Sequence, residues 1–259
     1  MIAKAVRGAA PALIIGVCGL VLWELSLRLL RPDGFVLPPP SEILVSFFDN
    51  LSQIWVATRS TGYIVITGLV VGVFLGVVWA LLVTRFRIAS ETLTPLAISL
   101  NAIPIIALAP IFNAWFGLLS PVSNQSIVVI LVFFPVFINT TRGLNDVGAT
   151  EIELMRSYAA TARQVARTVR IPNAMPYFFT ALKIASSLAV IGAIVAEYFG
   201  GRQDALGPLI VQNAGLTRYS EAWAGVLAGT LMGLALYAMS GALERMAMPW
   251  RFEAENEGA

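Results

Sequence analysis

From Tyr63 to Val83 the chain reads YIVITGLVVGVFLGVVWALLV, without a charged residue. A helix rises ~1.5 Å per residue, so a run of this length crosses the ~30 Å hydrocarbon core of a bilayer. Five other stretches have similar character: Ala9–Leu30, Thr92–Leu118, Ser126–Thr141, Tyr177–Phe199 and Ala222–Met246. Ser126–Thr141 is short for a crossing and its ends are poorly marked. Lipid leaves no water for bare amides and carbonyls, so such runs fold as helices. The expectation is an all-α membrane protein of about six transmembrane helices, a single domain over residues 1–259. Its core lies at about residues 50–250, behind an N-terminal helix and interfacial segment in residues 1–49.

Composition agrees. The chain is 58% hydrophobic and 12% charged, where soluble domains carry ~25% charge. A net charge of +2 is too mild for a nucleic-acid partner. The single cysteine, Cys18, excludes an internal disulfide and a thiolate cluster. No histidine is present, which argues against bis-His haem, zinc catalysis and a histidine proton relay. No metal site or catalytic residue is expected.

Lys4 and Arg7 precede the first apolar run as in a signal peptide. That run continues through Leu30 without a small-x-small cleavage site, so a retained helix is expected. Next, Pro38–Pro40 forbid helix and Ser41 reads as the N-cap of a short amphipathic helix, Glu42–Asp49. Ile43, Leu44, Phe47 and Phe48 share one side of it, as in an interfacial helix; a soluble loop with apolar residues is the alternative.

Lysine and arginine set orientation. With the N-terminus in the cytoplasm, the inner side holds Lys4, Arg7, Arg85, Arg87, Arg142, Arg156, Arg163, Arg167, Arg170, Arg245 and Arg251. The outer side holds Arg31, Arg59, Arg202 and Arg218, so eleven stand against four. Both termini are therefore placed inside. The longest inner loop then contains ELMRSYAATARQVARTVRIPNAMP, Glu153 to Pro176. Arg163, Arg167 and Arg170 are spaced to share one helix face and Val165 and Val169 another. Ala159–Ala160–Thr161 reads as a break, and Pro172 as the end of the second segment. Two short helices joined at a bend, carrying both charge and grease, make an interaction surface.

These residues resemble the cytoplasmic signature of the permease subunits of bacterial ABC importers: EAA, three residues, Gly, nine residues, Ile-x-Leu-Pro. The motif starts at Glu153–Leu154–Met155; Ala159 falls where glycine is usual, and Val169, Ile171 and Pro172 fall on the last element. LPPPSEIL (from Leu37), PIIALAPIFNAWFG (from Pro104) and AEYFGG…LGPLI (from Ala196) are similar to the nitrate, sulfonate, taurine and pyrimidine-precursor branch. The resemblance runs from about Pro38 to Trp250. Alanine in a left-handed turn costs ~1–2 kcal/mol, so the bend either uses ordinary dihedrals or is shifted by a residue.

The resemblance implies a type I importer permease in the bacterial inner membrane, with a coupling helix between the fourth and fifth spans. It also implies two ABC ATPase subunits, a second permease copy (a homodimer is expected), surrounding membrane lipid, and an extracytoplasmic solute-binding protein. The chain has no P-loop motif, so ATP and Mg would be bound by the partner and this chain would be no enzyme and hold no cofactor. Glu153, Arg156, Ser157, Ala159, Arg163, Arg167, Arg170 and Pro172 are the implied ATPase-coupling residues.

Ionisable groups within a span are costly and so are candidates for function. Lys183 and Glu197 lie ~21 Å apart along the fifth span and do not pair with each other. Lys183 reads as snorkelling to the inner surface. Glu197 reads equally as part of an outer gate and as an interhelix hydrogen bond. Glu24 and Arg28, at i and i+4, neutralise each other. The third span, with Pro95, Pro104 and Pro110, is expected to be kinked. Asn101 there is either a pathway-lining residue or a packing residue. Gly68, Gly72 and Gly76 suit close helix packing.

Few fixed positive groups lie in the interior, which disfavours a tightly held anion, and Phe112, Trp115 and Phe116 suit a flat heterocycle or face lipid. A pyrimidine or vitamin precursor is preferred over sulfonate, taurine or nitrate. A self-sufficient secondary transporter driven by an ion gradient is the rival; it calls for more charge at mid-membrane. A redox-enzyme anchor is disfavoured by the absence of histidine.

Overall fold

Glycine lets the two central helices touch. The structure, a computed structural model, describes residues 2–30 and 37–249. Its helices are α1 (Ile2–Leu30), α2 (Pro40–Asp49), α3 (Leu51–Thr84), α4 (Arg87–Leu100) and, after a 3-10 turn Ile105–Leu108, α5 (Ala109–Phe116). There follow α6 (Pro121–Asn145), α7 (Ala149–Ser157), α8 (Ala162–Val165), a π turn Ala166–Arg170, α9 (Ile171–Glu197), α10 (Leu206–Gly215) and α11 (Tyr219–Ala247). No strand occurs among the described residues. Arg31, Arg251 and Trp250 lie outside them.

The core forms where α6 packs on α3 and α9, with α11 on the far side of α9. Ile64, Val65, Val128, Val132, Ala185 and Ala189 are buried together there. On α3, Gly68, Gly72 and Gly76 recur each turn and meet Val128, Val132 and Val136 of α6. A Cβ on Gly72 would lie 2.8 Å from the Val129 carbonyl oxygen and from Val132 Cβ. Hydrophobic burial drives little association between helices already in hydrocarbon, so this close fit supplies van der Waals contact instead. The packing read from the glycine spacing is thus observed. The opposite side of α3 leaves Val70 and Phe74 more than half exposed, as a lipid-facing surface requires.

Four helical stretches are long and apolar enough to cross a bilayer: Leu51–Thr84, Pro121–Asn145, Ala162–Glu197 and Tyr219–Ala247. A fifth results if the pair Glu91–Leu100 and Ile105–Phe116, bent by 76°, counts as one. Among the described residues, then, four spans stand, or five with the bent pair, where six were expected. The first expected span, Ala9–Leu30, falls within helix α1.

Three expectations change. The third stretch is broken rather than kinked. Pro104 and Pro110 have no N–H to continue the ladder, and the chain leaves the helix between α4 and the 3-10 turn. The fourth stretch is a full span: Ser120 caps α6 by accepting from the Val122 N–H at 3.3 Å, with Pro121 in the first turn. Finally, α2 starts two residues early, with Pro39 at the N-cap and Pro40 in the first turn. Ser41 gives its N–H to Glu24 at 3.0 Å and its hydroxyl to the same carboxylate at 2.7 Å. Glu24 also accepts from Arg28 Nε at 2.6 Å, so the expected pair exists and extends to α2. Only Ile43 and Phe47 of the expected apolar side turn inward; Leu44 and Phe48 stay exposed.

The seam makes a prediction. Gly72→Ala should lower the melting temperature of the detergent-solubilised protein by the equivalent of ~1–3 kcal/mol, the usual cost of overpacking. Gly19→Ala, where a Cβ meets open space, should leave it unchanged.

Candidate functional site

The signature segment folds as a capped corner. Helix α7 ends in a Schellman motif: the Ala159 N–H donates to the Arg156 carbonyl at 2.9 Å and the Ala160 N–H to that of Met155 at 3.0 Å. This geometry needs a left-handed residue at Ala159, and its φ is +51°. The bend is therefore neither ordinary in dihedrals nor shifted; alanine takes the glycine conformation in place. Two residues on, Thr161 caps α8. Its hydroxyl accepts from the Gln164 N–H at 3.4 Å, and the Gln164 side chain accepts from the Thr161 N–H at 2.7 Å. This T-x-x-Q capping box was readable in the sequence and escaped the analysis above.

Pro172 does not end the second helix. Ala162–Glu197 runs as one helical stretch of 36 residues, with Pro172 in the first turn of α9. A proline ring in a regular helix collides with the carbonyl four residues back. Here the wider π turn Ala166–Arg170 lies where that collision would occur. The segment after the bend and the following span are thus one rod.

Its foot is pinned. Asn173 Nδ2 donates to the Gly143 carbonyl at 2.9 Å and that of Asp146 at 2.7 Å, and the Tyr177 hydroxyl donates to the Asp146 carboxylate. A Cβ on Gly143 would sit 2.7 Å from the Tyr177 ring. None of these residues stood out in the sequence, because their partners are about 30 positions away.

The corner has two sides. On α7, Glu153, Leu154, Ser157 and Tyr158 are exposed, Tyr158 at 75%. Ser157 turns its hydroxyl back to the Leu154 carbonyl at 2.7 Å. Arg156, Arg163 and Arg170 instead line a cavity of about 1070 Å³ between the corner and the ends of α3 and α6. Arg167 is exposed and does not line it. The arginine face expected as a unit is thus divided. Leu154 and Tyr158, one turn apart, are the apolar part of the outward surface that sequence reasoning missed.

The three intramembrane candidates are not brought together. Asn101 is exposed at the C-terminal end of α4, beside the break. Lys183 forms an ion pair with Glu244 of α11 instead of reaching the inner surface. Glu244 is 6% exposed. One turn on, the hydroxyls of Ser186 and Ser240 lie 2.9 Å apart. A charge inside a bundle is cheaper paired than alone, which explains the departure from snorkelling.

Glu197, at the C-terminal end of α9, is 2% exposed. Its Oε2 accepts from Thr61 Oγ1 at 3.0 Å and from the Gly207 N–H at 2.9 Å. Thr61 Oγ1 accepts from the Leu206 N–H at 2.9 Å. A hydroxyl and a carboxylate thereby satisfy the first two amides of α10 and tie it to α3 and α9. Gly207 is required for the approach, since a Cβ there would lie 2.5 Å from Glu197 Cβ. The interhelix reading of Glu197 is what the geometry contains. Asn113 Nδ2 donates to the Phe199 carbonyl at 3.1 Å and Asn124 Nδ2 to that of Gly200 at 2.9 Å, closing the end of α9. In the loop before α10, Arg202 donates to both oxygens of Asp204 at 2.8 and 2.7 Å and so holds that carboxyl below its ordinary range. Of the aromatics considered for a heterocycle, Phe112 is buried and Trp115 and Phe116 are exposed.

Two predictions follow from this geometry. Relief of ~1–2 kcal/mol of left-handed strain, less the ~0.4–1 kcal/mol that glycine adds to the unfolded chain's freedom, gives Ala159→Gly a net gain of up to ~1.6 kcal/mol. Ala159→Val should lose stability; melting curves of both variants check this. Glu197→Ala leaves a buried amide unpaired at ~1–3 kcal/mol, whereas Glu197→Gln keeps an acceptor oxygen. Hydrogen exchange in α10 should quicken in the first variant and stay slow in the second.

Comparison with known proteins places this architecture. Residues 68–250 match the family described as binding-protein-dependent transport system inner membrane component. The chain is 33% identical over 235 residues to the formylaminopyrimidine transport permease protein ThiX of Halalkalibacterium halodurans, covering 90% of this chain and 92% of that one. It is 28% identical over 233 residues to the riboflavin transport system permease protein RibX of Chloroflexus aurantiacus, covering 89% and 86%. Identity to the nitrate import permease protein NrtB of Synechocystis sp. is 27% over 254 residues, covering 92% and 89%. Matched over most of its length, with apolar spans around a capped cytoplasmic signature, the chain belongs to the inner-membrane permeases of binding-protein-dependent ABC importers.

Proposed function

We propose that this chain forms the translocation pathway of an ATP-driven importer and receives force through its capped corner. Two copies form the pathway and two ABC ATPase subunits grip the corners from the cytoplasm. A solute-binding protein delivers substrate from outside. The chain crosses the membrane six times, α1 supplying the sixth crossing, with both termini inside. ATP and Mg act on the partner subunits; this chain carries no catalytic residue.

One observation carries this reading: the exposed side of α7 sits on a corner continuous with a membrane-spanning rod. Glu153, Leu154, Ser157, Tyr158 and Arg167 are the contact surface, and Ala159 is the bend that presents it. Arg156, Arg163, Arg170 and Pro172 shape the corner from behind. The solute is a pyrimidine or related vitamin precursor. The names of two relatives, one for formylaminopyrimidine and one for riboflavin, support that class, while the nitrate relative marks the rival. Lys183, Glu197 and Asn101 bear on the pathway through helix position, Lys183 and Glu197 by holding α11 and α10 against α9.

The test is a Glu153→Lys/Tyr158→Asp variant. ATPase subunits should no longer copurify and uptake should fall to background, with the permease's melting temperature unchanged. Normal copurification and normal uptake would overturn the reading.

A further inference from the structure

The cavity behind the corner has a composition that docking to an ATPase does not use. Four arginines line it, each from a different part of the chain: Arg85 just past α3, Arg156 of α7, Arg163 of α8 and Arg170 of the π turn. None of the four is in an ion pair with a carboxylate of the described residues. The acidic residue in the lining, Glu91, is already engaged. Like charges gathered in one cavity repel each other unless an anion sits between them. A guanidinium offers a planar fork of donors that matches a phosphate's oxygens.

The remaining walls specify the anion further. Leu81 and Leu144 line the cavity at the ends of α3 and α6, where those apolar spans give way to polar residues. Ile152, Val165 and Ile171 add apolar surface from the corner, and apolar side chains beside arginines suit an amphiphile that carries phosphate at its head. Basic pockets between membrane helices on the cytoplasmic side take anionic headgroups in this way.

We propose that this cavity binds a phosphate group, supplied by an anionic phospholipid of the inner leaflet. Bridging Arg85 to Arg156, Arg163 and Arg170, the phosphate ties the corner to the end of α3 and sets the angle at which α7 is presented. The proposal rests on the reading above that this end faces the cytoplasm, but not on the contact surface of α7.

The experiment uses the whole importer in nanodiscs of phosphatidylglycerol and phosphatidylcholine, with native mass spectrometry of the retained lipid. Wild type should retain phosphatidylglycerol. Arg85→Gln/Arg170→Gln should lose it about tenfold, as expected on removing charge-assisted hydrogen bonds. Arg85→Lys/Arg170→Lys, which keeps the charge, should fall between them. Arg59→Gln, an exposed arginine outside this cavity, should behave as wild type. In pure phosphatidylcholine nanodiscs, added inorganic phosphate tests the free anion. A rise in melting temperature in wild type and not in the double Gln variant identifies the same site filled from solution. Equal phosphatidylglycerol retention in wild type and double Gln variant, with no response to phosphate, overturns the proposal. So does a double Gln variant that loses only its ATPase subunits, because the arginines then meet a partner's carboxylates. The Glu153→Lys/Tyr158→Asp variant should keep its lipid, which separates failure here from failure of the coupling surface.

Discussion

A backbone amide in hydrocarbon has no water to turn to, and the ends of α6 and α9 and the start of α10 show how a neighbour meets that need. At the outer end of α9, Asn113 and Asn124 close the carbonyls of Phe199 and Gly200. Thr61 and Glu197 take the first amides of α10. At the inner end, Asn173 takes the carbonyls of Gly143 and Asp146. These polar side chains are few, and most are placed at a helix end. The chain holds its irregular segments chiefly with polar groups placed there.

That economy leaves long uninterrupted rods between the ends. The stretch Ala162–Glu197 is roughly 50 Å long, with a capped corner at one end and the anchor of α10 at the other. Midway, the Lys183–Glu244 pair and the Ser186–Ser240 contact pin it to α11. Rigid elements with polar pins are the physical means by which a push at one face of a membrane becomes a tilt at the other. The glycine–valine seam between α3 and α6 relies on shape, with a single polar pin beside Gly68, where Gln125 Nε2 donates to Thr67 Oγ1 at 2.8 Å.

Much of this was legible. Apolar run lengths gave the helices, the four-residue glycine spacing gave the seam, and the Glu153-to-Pro172 pattern gave the corner and the family. What escaped was of one kind. Thr61 with Glu197, Asn173 with Gly143, and Lys183 with Glu244 pair across 30 to 136 positions. Local periodicity carries no signal for such pairs. The capping box at Thr161 was the exception, a local pattern that was present and overlooked. Pro172 misled because a proline reads as a stop, and only the π turn before it shows the helix passing through.

By itself, then, the sequence determined that the chain is helical and lies in a membrane, because no other backbone is tolerated by lipid over such runs. It also determined which loop would bend, because capping chemistry is local. Tertiary structure alone decided which way the arginines face and that Glu197 holds α10. Those outcomes depend on distant elements arriving at the same place, and in a medium without water the partner that arrives is the one that decides.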